Sequence, residues 1–270
     1  MRKVGIMQGR LSRPPAGTLQ AFPWQGWQDE FARARDCGFN CLEWLVTAER
    51  LDDNPIWTDD GIDTIRDLAV RTSVAVSSLC ADCFIAHPFV RVADAERDVS
   101  LRRLQLLVRH AAAAGIGVLV VPVIERGELR SSDEGVQLIA TLAPVLAEAD
   151  SLGIRVALEC DWPGAQLRKL LELAPRPLFS CHDIGNARAR GQNPAEEIAA
   201  LGDRLAAVHV KDRRVNGGSV SLGSGDVDLT AAFAALETVG YEGSLILETP
   251  AGADPIASAR ANLAVVRARL

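Results

Sequence analysis

Four apolar runs in the second half of the chain end on ionisable residues: Val156-Ala157-Leu158-Glu159, Phe179-Ser180-Cys181-His182-Asp183, Val208-His209-Val210-Lys211-Asp212 and Leu245-Ile246-Leu247-Glu248. A carboxylate closing an apolar strand is expensive to desolvate, and several crowded together repel one another. A divalent cation removes both penalties. Glu159, Asp183, His209 and Glu248 offer three carboxylates and one imidazole, a mainly hard donor set that suits Mn²⁺, Mg²⁺ or Co²⁺ better than a structural zinc. Taken singly, each residue has a plainer reading. Either glutamate could pair with an arginine or lysine, His209 could be a core histidine, and Asp183 could cap the turn at Ile184-Gly185-Asn186. Their joint placement on four consecutive strands favours a shared cation. Strand alternation puts His182 and Asp183 on opposite faces, so only one of the two points easily at a common centre.

The elements that would position these groups can be read from periodicity. Short apolar runs predict strands at Lys3–Gln8, Asn40–Leu45, Ala75–Cys80, Val118–Val123, Arg155–Glu159, Leu178–His182, Ala206–Val210 and Ser244–Glu248. Segments with helical spacing, among them Val99–Ala114, Gly135–Leu152 and Leu229–Val239, lie between them. Gly38, Gly115, Gly153 and Gly240 each precede a strand and can take the left-handed conformation that ends a helix. Eight β–α units in 270 residues predict an α/β fold, a single (β/α)₈ TIM barrel, with residues 1–270 forming one domain. In that fold the chemistry gathers at the carboxyl ends of the strands.

Composition narrows the partners. The chain is 48% apolar, enough for a large core, and its net charge of -6 argues against nucleic acid or an anionic membrane as partner. The apolar run after Met1-Arg2-Lys3 is too short for a signal peptide, and Val118–Val123 is far below membrane-spanning length. Of the six cysteines, only Cys80 and Cys83 have metal-pair spacing, and no second pair accompanies them. Buried thiols and a cytoplasmic location are expected. Homo-oligomerisation stays open.

From Glu159 onward the chain resembles the xylose-isomerase-like sugar-phosphate isomerase/epimerase superfamily, in particular its L-ribulose-5-phosphate (L-xylulose-5-phosphate) 3-epimerase group. The resemblance lies in Asp183-Ile184-Gly185-Asn186, Val208-His209-Val210-Lys211-Asp212, Gly223-Ser224-Gly225-Asp226-Val227-Asp228, Gly240-Tyr241-Glu242-Gly243 and Ile246-Leu247-Glu248. It implies that Glu159, Asp183, His209 and Glu248 hold one divalent metal ion, Mn²⁺ foremost with Mg²⁺, Co²⁺ or Zn²⁺ as alternatives. It also implies that Glu159 and Glu248 act as acid and base on a small sugar or sugar phosphate. Two departures leave the sugar open. Many members carry histidine where Asn186 stands, and the 3-epimerase group carries one after the third strand, where this chain reads Asp82-Cys83-Phe84.

The chemistry implied is proton transfer beside a ketone. A cation chelated by the ketone oxygen and its neighbouring hydroxyl spreads the negative charge of an enediolate. One glutamate then removes a proton and the other returns one from the far face, inverting the centre; one base serving two carbons would give an aldose–ketose isomerase instead. Expected substrate contacts are Lys211, Asn186, Arg10, Glu43 and Arg213, with Gln8 beside them; Lys211 could equally pair with Asp212 or Glu248. Trp44 and Trp162 are candidates for an apolar wall. The Gly/Ser-rich loop Arg213–Asp228 could bind phosphate through Gly223-Ser224-Gly225, helped by Arg188, Arg190, Arg213 or Arg214. Asp212→Asn is expected to be mild. Competing readings are an inosose-type dehydratase on the same site and a sugar-binding barrel without catalysis. An abasic-site endonuclease needs about three zinc ions and several histidines, and the chain has four histidines in all.

Overall fold

A computed structural model describes residues 2–15 and 20–270. In chain order the elements are β1 (Val4–Met7), α1 (Asp29–Cys37), β2 (Cys41–Leu45), α2 (Asp59–Thr72), β3 (Ala75–Cys80), α3 (Cys83–Ala86), α4 (Asp94–Ala113), β4 (Val118–Val123) and α5 (Ser132–Ser151). They continue as β5 (Arg155–Cys160), α6 (Gly164–Leu173), β6 (Leu178–Asp183), α7 (Ile184–Ala189), α8 (Pro194–Leu201), β7 (Leu205–Val210), β8 (Asp212–Arg213), β9 (Ser219–Val220), α9 (Leu229–Thr238), β10 (Leu245–Leu247) and α10 (Pro255–Arg267). Eight of the strands close in the ring order β1-β10-β7-β6-β5-β4-β3-β2, all pairs parallel. This is the predicted (β/α)₈ barrel. The antiparallel pair β8–β9 is an insertion after β7.

Every residue of β4 and β7 is buried, as apolar strands packed on both faces require. The four glycine joins behave as their position predicts. Gly38, Gly115, Gly153 and Gly240 have φ of 95°, 77°, 69° and 67°. The N–H of the next residue reaches five residues back into the helix: Phe39 to Ala34, Ile116 to Ala111, Ile154 to Ala149 and Tyr241 to Leu236, at 2.8–2.9 Å. Those four side chains are buried, so each join ends a helix and anchors the coming strand together.

One irregularity matters for function. Between β6 and β7 the register slips: Ser180 faces Leu205, but Cys181 faces Ala207. The extra residue, Ala206, brings Asp183 level with His209 instead of Val208. All six cysteines are free, and five are buried. Among the described residues no helix is long and apolar enough to cross a membrane.

Candidate active site

Asp183 and His209 are register partners at the carboxyl ends of β6 and β7, and Glu159 stands near the end of β5. One donor atom from each of the three lies within 4.8 Å of the others, and all three residues are buried. Asp183 serves two elements at once. Its Oδ1 accepts the Asn186 N–H at 2.8 Å, which starts α7, while its Oδ2 faces the group. The turn-cap reading and the ligand reading thus hold together, one oxygen each.

Glu248, just past β10, is held by cations. Lys211 Nζ lies 2.9 Å from its Oε1 and Arg10 NH2 3.3 Å, while Lys211 also stands 2.7 Å from Asp183 Oδ2. Lys211 therefore neutralises Asp183 and Glu248; Asp212 faces elsewhere. Burial raises the Glu248 pKa, but Lys211, His209 and Arg10 outweigh it and hold the carboxyl well below the usual range. Glu159 goes the other way: burial pushes it up to about 8, with Asp183 and Glu248 adding repulsion against the pull of His209 and Lys211. Two neighbouring carboxyls thus favour opposite protonation states.

The donor set fits a divalent cation. His209 turns Nε2 to Glu43, 2.7 Å away, which leaves its buried Nδ1 to face the group, where Asp183 Oδ2 also lies, 2.7 Å from Lys211 Nζ. His209 Nδ1 looks toward Glu248 Oε2 at 3.3 Å and Glu159 Oε2 at 3.9 Å. Lys211 supplies positive charge among carboxylates that a dication would otherwise have to balance. Glu159, Asp183 and His209 are one group that could hold a metal, with Glu248 alongside.

The expected substrate contacts divide. Arg10, Asn186, Lys211 and Arg213 line the cleft above this group. Asn186 Nδ2 reaches Glu159 Oε1 at 3.4 Å, and Arg213 NH1 donates to Asn186 Oδ1 at 2.8 Å. Glu43 is a correction: it does not line the cleft, and it is fully buried inside the barrel. One oxygen lies 2.7 Å from His209 Nε2 and the other accepts the Ser78 hydroxyl at 2.6 Å. The pleat turns Glu43 inward below the mouth, so it backs the histidine and cannot reach a sugar. Gln8 likewise stays inside, with Oε1 accepting the Leu45 N–H.

Other expectations also change. Trp44 is core, edge-on to Phe22 and Trp27 and donating to Asn54; Trp162 donates to the Leu129 carbonyl. Neither lines the cleft. The glycine loop is closed from within. Gly223 N–H and Gly225 N–H both donate to Asp212 Oδ2 at 2.9 Å, and Val227 N–H donates to Oδ1 at 3.1 Å. A carboxylate already fills the anion cradle, and Asp212 is a structural anchor. His182, on the opposite face from Asp183, is held down to about 4 by burial. Sequence reasoning missed Asp82, Asp161 and Glu125 on the cleft wall. Asp82 and Asp161 lie one or two residues past strand ends, a signal that could have found them.

Fold and site define a (β/α)₈ barrel with a carboxylate–imidazole group at its mouth. The chain belongs to the xylose isomerase-like TIM barrel family, whose model matches residues 31–269. It is 27% identical over 256 residues to L-ribulose-5-phosphate 3-epimerase UlaE of Escherichia coli O139:H28, covering 90% of each chain. SgbU of Escherichia coli K12 is 26% identical over 239 residues, 82% of this chain and 83% of its own. Among solved structures, D-psicose 3-epimerase from Clostridium cellulolyticum H10, determined with D-tagatose, matches with a TM-score of 0.79. That match covers 99% of both chains at 14% identity and is a likeness of fold.

Proposed function

We propose that this chain is a divalent-metal-dependent isomerase that epimerises a ketose at the carbon beside its carbonyl. The observation that carries the reading is geometric: Glu159, Asp183 and His209 bring donor atoms within 4.8 Å of one another, and Glu159 on β5 and Glu248 beyond β10 flank Asp183 and His209. Burial raises Glu159, while at Glu248 burial is outweighed by Lys211, His209 and Arg10, which lower it. Titratable groups driven apart in this way mark acid and base. The names of the UlaE and D-psicose relatives support the same reaction class.

Glu159, Asp183, His209 and Glu248 would hold the metal, and the oxygen-rich set favours Mn²⁺, with Mg²⁺, Co²⁺ or Zn²⁺ as alternatives. When bound, it supplies Lewis-acid stabilisation of charge on the substrate oxygens. The chain's own groups do the rest. Glu248, kept ionised by Lys211 and Arg10, accepts the proton from carbon. Glu159, on β5 and separated from β10 by β6 and β7, returns one from the other face. Asn186 and Arg213 orient the substrate oxygens. Residues 1–270 act as one domain on a diffusible small molecule in the cytoplasm, without nucleic acid or membrane.

Proton–deuterium exchange of candidate ketoses in D₂O, followed by NMR, tests this. One deuterium at the carbon beside the carbonyl, with the epimer appearing, is expected. Glu159→Gln and Glu248→Gln should each slow exchange about 10²–10⁴-fold. Full activity in either variant removes the two-glutamate scheme. Exchange at the terminal carbon with an aldose product replaces epimerisation by aldose–ketose isomerisation.

A further inference from the structure

The mouth of the barrel gathers carboxylates, and its floor gathers cations. A cavity of about 430 Å³ lies at the amino ends of the strands, lined by Arg2, Lys3 and Arg155 with Glu242 as its single carboxylate. The chain as a whole is acidic, with a net charge of -6, so three cations around one hollow are a local reversal. None of the three lines the cleft at the mouth.

Strand alternation aims two of them inward. Lys3 stands two residues before Gly5, where a Cβ would collide with Cys41 Sγ and Ile246 Cδ1 inside the barrel. Arg155 stands four residues before Glu159, which belongs to the group at the mouth. β1 and β5 are four places apart in the ring of eight, so the two cations approach the hollow from opposite walls. Small residues leave the room: a Cβ at Gly117 would meet nothing within 4 Å.

Arg2 supplies a second, independent sign of a missing partner. Its NH2 donates to the Tyr241 carbonyl at 2.9 Å, while its NH1 is buried without any hydrogen bond. Among the described residues none of the three cations makes an ion pair. A guanidinium N–H shut away from water and unpaired carries the full desolvation penalty of that group, and like charges brought together add to it. An anion relieves both.

We infer that the floor of the barrel is a second binding site, taking a phosphoryl group, free or carried on a small ester, between Arg2, Lys3 and Arg155. Guanidinium forks match phosphate oxygens two at a time, and the lysine adds a point charge. The bound anion ties β1 to β5 at the end of the strands away from Glu159, so it acts on the stability of the barrel and is independent of the reaction at the mouth.

Calorimetric titration of the full chain with inorganic phosphate tests this, with glycerol 3-phosphate run beside it. One saturable site with a Kd on the order of 1 mM is expected. Phosphate at about ten times that Kd should raise the melting temperature by about 3 °C. Tighter binding of the ester supports the site with an esterified ligand, and equal binding supports it with free phosphate. The double variant Lys3→Gln/Arg155→Gln should weaken binding about 10-fold or more and lose the thermal shift, while its melting temperature in phosphate-free buffer stays that of the parent. If the double variant does not fold, each single variant should still bind severalfold more weakly, and parent-like affinity in both overturns the inference. Because the cleft also holds arginines, Arg190→Gln/Arg213→Gln is the control and should bind phosphate as the parent does. Binding lost in that control and kept in the floor variant overturns the inference, as does the lack of any saturable site in the parent.

Discussion

At the scale of single residues, the site depends on one side chain that never touches substrate. Glu43 is fully buried and lies 2.7 Å from His209 Nε2, on the side of the ring away from the cleft. A carboxylate behind a ligating imidazole fixes ring orientation and raises its basicity. Glu43→Gln should weaken Mn²⁺ binding about 10–100-fold while changing the melting point of metal-free protein little. Competition with a chelator measures the first and calorimetry the second. Unchanged affinity would reduce Glu43 to core packing. This role was hidden in the sequence because Glu43 is a carboxylate in an apolar strand, as Glu159 is in its own, although it sits in the middle of β2 and not at its end. Which face it takes, and that its partner is His209 across the barrel, are facts of closure.

At the scale of elements, the strands and glycine joins were legible because each arises from local pattern: a buried strand is an apolar run, and a left-handed glycine ends a helix. Boundaries moved by one or two residues, as at β10, where Glu248 falls outside the strand while its N–H still donates to the Val210 carbonyl. The loop after β7 was misread for a physical reason. Gly223 and Gly225 look like an anion cradle until their N–H groups are found on Asp212, 11 and 13 residues earlier. Asp212→Asn is therefore not mild. An amide has one acceptor oxygen where three backbone donors converge, and the side chain is fully buried. About 1–3 kcal/mol of stability should be lost, read from the denaturation midpoint in urea. A loss within a few tenths of a kcal/mol would show that the loop closes without this carboxylate.

At the scale of the whole molecule, a buried acid that does not line the cleft sets how stability responds to pH. Glu30 on α1 is fully buried and accepts the Gly9 N–H and the Ser12 hydroxyl at 2.6 and 2.7 Å, which secures the turn that carries Arg10. Burial pushes its carboxyl from 4.5 up to about 7. Between those values the folded chain binds the extra proton, so stability is greatest below about 4.5 and falls as pH rises toward 7. The loss from this group is about 3 kcal/mol. Unfolding free energies of the parent and of Glu30→Gln, compared across that range, should differ in slope; parallel curves would refute it. The divided duty of Asp183, one oxygen opening α7 and the other turned to the cation group, reaches further. Asparagine opens a helix as well as aspartate does. A descendant of this chain could thus fall chemically silent while still dissolving, crystallising and melting like its parent. Among barrels of this kind, inheritance of shape is no guarantee that the reaction was inherited with it.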